Sequence, residues 1–263
     1  MKLSLKDYNS IKSNSLLSNI ILLLITIQLF QLSLCDIQDE FFLNSQLQQS
    51  PIEIPPKDEL TKLNKDIIKI NYQTVEGQFN YEPVGEGNTF KLITSADDFS
   101  HEISFYDTVS KRNVSYYLRN IHFHVPEEHF MDSKKYPIEF HFVHSTKDPN
   151  ESEYSNLVLG VLGRETFDIQ ASSLIKGISL DEGSLSTLIM KPLVGKSYYF
   201  YHGSLTTPPY SENVLWFVFK DVINVGSSFI NLAKDKIVEN ARDLQDNEGE
   251  VYIFNNKKKK IRG

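Results

Sequence analysis

Short runs in which apolar and polar residues alternate recur along most of the chain. They cover Thr89 to Ile93, Glu102 to Phe105, Ser115 to Leu118, Asn120 to His124, Ile138 to Val143, Asn156 to Leu162, Ser197 to Tyr201 and Val214 to Phe219. A period of two puts successive side chains on opposite faces of a strand, so each run predicts a β-strand with one face turned to a core. Helical spacing is sparse. Ile169 to Ile178 and Ser228 to Arg242 predict short helices, the second capped by Ser227 or Ser228. No internal repeat and no Pro/Gly-rich linker interrupts the series, which predicts one mainly β domain over residues 36–263.

The first 35 residues break this pattern. Lys2, Lys6 and Lys12 precede a mostly apolar run from Ile20 to Leu34, and Ser33-Leu34-Cys35 offers small residues to a peptidase. This predicts a signal peptide over residues 1–35 and a secreted or secretory-lumen protein. The rival reading is an uncleaved anchor, but Asn19, Thr26, Gln28 and Gln31 interrupt a run already near the lower limit for spanning a bilayer. Cleavage would remove Lys2, Lys6, Lys12 and Asp7, moving the net charge from −7 to −9. An acidic surface argues against nucleic acid as a partner. Cys35, the one cysteine, would leave with the leader, so stability must come from packing and bound metal. In a secreted chain, Asn113-Val-Ser115 and Asn150-Glu-Ser152 are glycosylation sequons. Residues 256–263, with Lys257 to Lys260, read as a solvated basic tail, and no hydrophobic segment follows that would signal a lipid anchor. Nothing in the sequence fixes an oligomeric state.

Candidate chemistry concentrates in two places. In Asn120-Ile121-His122-Phe123-His124, alternation projects both imidazoles from one face. In Ile138-Glu139-Phe140-His141, Glu139 and His141 share a face in the same way. Three neutral imidazoles with an open fourth position describe a catalytic zinc site, and a carboxylate two residues before a ligand supplies an acceptor that can fix a ring tautomer. The second place is Tyr201-His-Gly-Ser-Leu205-Thr206-Thr207-Pro208-Pro209, a stiff loop in which paired prolines restrict the backbone and hold a hydroxyl still.

Taken together, His122-Phe-His124, Glu128-His129, Glu139-Phe-His141 and Gly203-Ser-Leu-Thr-Thr-Pro-Pro209, with Gln49-Ser-Pro-Ile-Glu-Ile54 ahead of them, resemble the α-class carbonic anhydrase family from about residue 41 to 254. The resemblance implies a large central twisted, mostly antiparallel sheet with a few short helices and a site in a cone opening from one face. It implies a secreted zinc lyase that reversibly hydrates carbon dioxide to bicarbonate and a proton through a zinc-held hydroxide, with His122, His124 and His141 as ligands. Thr206 matches the gatekeeper threonine, whose proton goes to Glu128; Thr207 lines the substrate side. Val143, Val158, Leu205, Val214 and Trp216 match the apolar wall that receives carbon dioxide. Glu139 would orient His141 and Asn120 would orient His122, at a position where the family commonly has the longer glutamine.

Three departures qualify this. The histidine that relays protons in the fastest members is Asn88 here, and asparagine does not titrate near neutral pH. The position of the second cysteine in members with a bridge is Tyr210 or Asn213. The aromatic N-terminal segment is missing, since Asp36 lies only 13 residues before Gln49. The alternatives are a catalytically silent family member acting as a binding module, which would lack metal, and a zinc enzyme for activated esters, for which no specific motif is present.

Overall fold

A computed structural model of the protein describes residues 48–72, 75, 78–84, 87–107, 111–167, 180–181, 184–186 and 197–256. The strands are β1 (Thr61–Lys62), β2 (Ile68–Asn71), β3 (Gln78–Val84), β4 (Gly87–Ile93), β5 (Glu102–Asp107), β6 (Arg112–His124), β7 (Ile138–Ser145), β8 (Asn156–Thr166), β9 (Leu180–Asp181), β10 (Ser184–Ser186), β11 (Tyr198–Gly203), β12 (Val214–Phe219), β13 (Ile223–Gly226) and β14 (Tyr252–Phe254). They join into one sheet ordered β1-β14-β11-β12-β8-β7-β6-β4-β3-β10-β9, with β13 beside β8, β5 beside β6 and β2 beside β5. Among the described residues the pairings are antiparallel except β1–β14, β8–β12 and β8–β13. The mostly antiparallel sheet implied by the resemblance is therefore present, with parallel pairs at its centre and edge.

Residues 115–118 and 120–124, read above as two strands, are one strand whose phase changes midway. Val114, Tyr116 and Leu118 are buried, then Ile121 and Phe123, and the pairing of β6 with β7 shifts between Leu118 and Asn120. A single-residue slip exchanges the faces of every following side chain. Here it keeps both apolar sets in one core and turns His122 and His124 to the opposite face.

Both faces of the central strands are covered. One carries Phe123, Phe140, Phe142, Leu159 and Phe217, packed against Phe229, Ile230 and Ala233 of the helix α1 (Ser227–Lys236). The other carries Val158, Leu162, Tyr201, Val214, Trp216 and Val218. Full burial of one such side chain is worth roughly 1.5–3 kcal/mol. With no cysteine among the described residues, these two layers supply the stability.

The helix differs from expectation at both ends. Its N-cap is Gly226, with no side-chain cap, and Ser227 Oγ instead donates to the Thr166 carbonyl at 3.1 Å. It stops at Lys236 rather than Arg242 because Ile237 turns extended, which frees Asn240 and Arg242 to reach the site described below. Among the described residues no helix is long and apolar enough to cross a membrane. Asn113 and Asn150 are both exposed, Asn113 on β6 and Asn150 beside Asp148. The leader, residues 169–178 and the lysine run lie outside the described residues.

One buried group makes the fold acid-sensitive. His144 on β7 donates from Nδ1 to the Leu157 carbonyl at 3.1 Å, and its Nε2 bonds the Tyr72 hydroxyl. Burial pushes its pKa down from 6.5 to about 3. Between those values the unfolded chain takes a proton that the folded one refuses, so this contribution is complete above pH 6.5 and lost as pH falls toward 3. The slope per proton is up to about 1.4 kcal/mol per pH unit. In His144→Gln the fall in urea midpoint between pH 7 and pH 5 should be shallower than in wild type; an identical slope in the two proteins would refute the assignment.

Candidate metal centre

His122 and His141 face each other across the β6–β7 pair, and His124 lies one alternation further along β6, opposite Glu139. Each ring commits one nitrogen to a neighbour. His122 Nδ1 lies 2.9 Å from Asn120 Oδ1, so asparagine reaches despite its missing methylene. His124 Nδ1 lies 3.0 Å from the Asn240 carbonyl, and His141 Nε2 lies 3.0 Å from Glu139 Oε1. The three rings converge, one nitrogen from each lying within 4.8 Å of the others, and each ring has a second nitrogen beyond the one named above. Of these, His124 Nε2 is fully buried with no hydrogen-bond partner. An orphaned buried acceptor costs free energy unless something fills its coordination, so the donor set fits a divalent ion with nitrogen ligands.

The electrostatics agree with that chemistry. Burial, then the neighbouring His124, His141 and Lys91, holds the His122 pKa well below its ordinary value. Burial lowers His124 to about 4 and also lowers His141. All three rings are neutral at neutral pH, the form that binds metal without proton release. A second grouping, His129, Glu139 and His141, also brings ligand atoms together, but there His129 Nδ1 and His141 Nε2 already bond Glu139 at 2.7 and 3.0 Å.

Glu139 is held by four groups. Besides the two rings, its Oε2 accepts the backbone N–H groups of Glu128 at 2.9 Å and His129 at 2.7 Å. Burial alone would raise its pKa; His129 and His141 reverse this and hold it well below the usual carboxylate range. Space for the carboxylate comes from Gly160, opposite His141 on β8, where a Cβ would stand 2.9 Å from Glu139 Oε1. From His129 the network continues: Nε2 lies 2.6 Å from the Tyr201 hydroxyl, itself 2.8 Å from Ser50 Oγ.

Thr206, 7% exposed, follows Ser204 on the loop after β11. The Trp216 indole donates to the Ser204 carbonyl at 2.8 Å, and Ser50 and Ser204 exchange backbone-to-hydroxyl bonds at 3.0 and 3.1 Å. This packing requires Gly203, where a Cβ would meet Ser50 Oγ at 2.1 Å. Glu128 Oε1 accepts the Arg242 N–H at 2.9 Å, while Oε2 is buried without a partner and lies 3.7 Å from His141 Nε2. Burial raises the Glu128 pKa to about 7; His141, the Arg242 amide and the Thr206 hydroxyl pull against it. Val158, Val214 and Trp216 share one buried cluster, with half-buried Val143 and Leu205 packed against it, and the Trp216 ring centroid lies 4.9 Å from that of His141. Thr207 is half-buried, its carbonyl accepting the Tyr210 N–H at 2.9 Å.

A family model for the eukaryotic-type carbonic anhydrases matches residues 38–258. The chain belongs to this family. Alpha carbonic anhydrase 8 of Arabidopsis thaliana is 34% identical over 160 residues, which make up 57% of this chain and only 41% of that relative. Dioscorin DB3S of Dioscorea polystachya is 27% identical, with 82% of this chain and 79% of the relative covered. Among solved structures, dioscorin complexed with ascorbate has a TM-score of 0.60 at 23% identity, covering 80% of this chain and 87% of its own. The α-carbonic anhydrase of Thermovibrio ammonificans with the inhibitor sulfanilamide has a TM-score of 0.58 at 25% identity, covering 79% and 86%.

Within this family member, His122, His124 and His141 are brought together, and Asn88 is half-buried with its carbonyl accepting from Asn240 Nδ2 at 3.0 Å. Sequence reading missed the partners that fix them. Asn240 and Arg242 follow a helix whose end was misplaced, and no periodicity marks them. Arg242 Nη1 donates to Gln49 Oε1 at 3.0 Å and to the Ser50 carbonyl at 2.6 Å, tying the early Gln-Ser-Pro motif to the site. His129 had a visible signal, its place beside Glu128, but not its partners.

Gly160→Ala tests the clearance beside Glu139. The variant should keep its fold by circular dichroism while its zinc Kd, measured by chelator competition, rises on the order of 10-fold, the scale for disturbing a group that orients a ligand. An unchanged Kd would show that Glu139 tolerates the methyl group.

Proposed function

We propose that the protein is a secreted, zinc-dependent carbonic anhydrase that reversibly hydrates carbon dioxide to bicarbonate and a proton. The observation that carries this reading is the buried, unpartnered His124 Nε2 at the meeting point of three neutral imidazoles. His122, His124 and His141 would hold the zinc, and family members normally bind it. When bound, zinc supplies a +2 charge, undiminished by neutral ligands, that lowers the pKa of a coordinated water to about 7, the value characteristic of this enzyme class.

The protein's own groups do the rest. Asn120, the Asn240 carbonyl and Glu139 fix the three ring orientations. Thr206 has one hydroxyl proton, and giving it to Glu128 leaves the oxygen able only to accept, which selects an incoming oxygen that still carries hydrogen. Val143, Val158, Leu205, Val214 and Trp216 keep water from the place where an uncharged, weakly polar substrate rests. Secretion rests on the leader motif and on two exposed sequons. The rival, a silent binding module, is favoured by the likeness to dioscorins and is separated by metal content.

The purified protein should contain one zinc per chain and hydrate carbon dioxide in stopped flow, and a chelator should abolish both. His122→Ala should lose zinc and activity together; Thr206→Ala should retain zinc and slow hydration by about 10²-fold, the scale for removing one preorganised polar contact. A metal-free native preparation, or equal zinc loss in the two variants, would contradict these roles.

Because Asn88 cannot carry a proton, transfer to solvent should limit turnover. Adding small imidazole buffers should raise kcat with little change in kcat/KM. A kcat indifferent to buffer concentration would refute this.

A further inference from the structure

The wall of the metal site carries a charge that an uncharged substrate does not need. Strand β4 meets β6 through Leu92 opposite Ile121 and Ile93 opposite Asn120. On the other side, Thr89 Oγ1 donates to the Phe123 carbonyl at 2.5 Å. Lys91 lies between these two points and so stands opposite His122. Alternation settles its direction: Phe90 and Leu92, 2% and 3% exposed, enter the core with Ile121 and Phe123, so Lys91 and Ile93 emerge on the ligand face. Lys91 is half-buried. None of the ion pairs among the described residues involves it.

The other charged groups of the site are committed. Arg242 spends Nη1 on Gln49 and Ser50, and its guanidinium lies 3.8 Å from the Tyr210 ring centroid. Glu139 is saturated by four donors, and Glu128 is buried behind the ligands. Among the described residues Lys91 is thus a positive charge without an ion-pair partner, on the same face as the proposed ligands. In a partly desolvated cleft such a charge attracts small anions more strongly than in open solvent, and salt weakens the attraction.

We propose that Lys91 is an anion-recruiting arm of the metal site, a specificity residue that retains bicarbonate and competing monovalent anions while leaving neutral ligands unaffected. The inference rests on the carbonic anhydrase reading. It implies that Lys91→Gln raises KM for bicarbonate in the dehydration direction and leaves KM for carbon dioxide unchanged.

The test uses the full mature chain loaded with cobalt(II), whose visible absorption reports ligands at the metal independently of turnover. Thiocyanate is titrated into wild type, Lys91→Gln and Lys91→Arg at low and high ionic strength, with neutral imidazole as control. Lys91→Gln should raise the thiocyanate Kd about tenfold at low salt, with a smaller difference at high salt, as expected for the loss of one nearby charge. Lys91→Arg should restore the wild-type value, and imidazole should bind all three proteins alike. An unchanged thiocyanate Kd in Lys91→Gln, or equal weakening of thiocyanate and imidazole, overturns the proposal while leaving the metal reading intact. A wild-type protein that takes up no cobalt overturns both.

Discussion

The site hangs on one buried carboxylate. Glu139 is inaccessible to solvent, and an isolated charge there would be prohibitive. Four donors offset that cost: two backbone amides from the turn at Glu128 and His129, the His129 ring and the His141 ring. The same bonds tie the β6–β7 connection to β7, decide which nitrogen of His141 faces the other ligands, and anchor the polar chain through Tyr201 to Ser50. Removing any member leaves a buried donor or acceptor unpaired, typically at 1–3 kcal/mol. Rigidity of the ligand set and stability of the fold are therefore one property in this region.

Around that carboxylate the backbone makes room. Gly160 and Gly203 stand where β-carbons would strike Glu139 and Ser50, and the phase change in β6 directs His122 and His124 to the ligand face. Without the slip between Leu118 and Asn120, one of two apolar sets would have been turned out of the core. The irregularity thus satisfies packing first, and the histidine cluster occupies the face it frees. The early end of α1 works the same way, since an extended chain after Lys236 brings the Asn240 carbonyl to His124 and the Arg242 amide to Glu128.

How far the sequence was readable follows from what carried the signal. His122, His124, Glu139 and His141 were legible because a period of two fixes relative facing along a strand, and Val214 to Phe219 matched its strand residue for residue. The wall residues came from the family resemblance, and the structure places them in one buried or half-buried cluster. Short strands such as β1 and β14 were not visible, because two or three residues carry no periodicity and their pairing is decided by partners far along the chain. Asn240 and Arg242 were hidden for a related reason: they act through backbone groups in an irregular segment, and a backbone carbonyl leaves no mark on residue identity. Helical spacing past Lys236 suggested continuation, but the bonds gained by an extended chain outweigh the few tenths of a kcal/mol that propensity offers per residue.

The two buried carboxylates of the site show how donor count, rather than burial, sets behaviour. Glu139 and Glu128 are both inaccessible to solvent and both lie against His141. Glu139 accepts from two amides and two rings and is held well below the usual carboxylate range. Glu128 accepts one amide, with His124 Nδ1 at 3.2 Å and the Thr206 hydroxyl as weaker support, and burial pushes it up to about 7. One is locked in its charged form as a structural anchor; the other is held less firmly, with the Thr206 hydroxyl as a hydrogen-bond donor beside it. An arrangement meant only for stability would have satisfied both, so the unequal supply of donors is itself an argument that this face was built for chemistry.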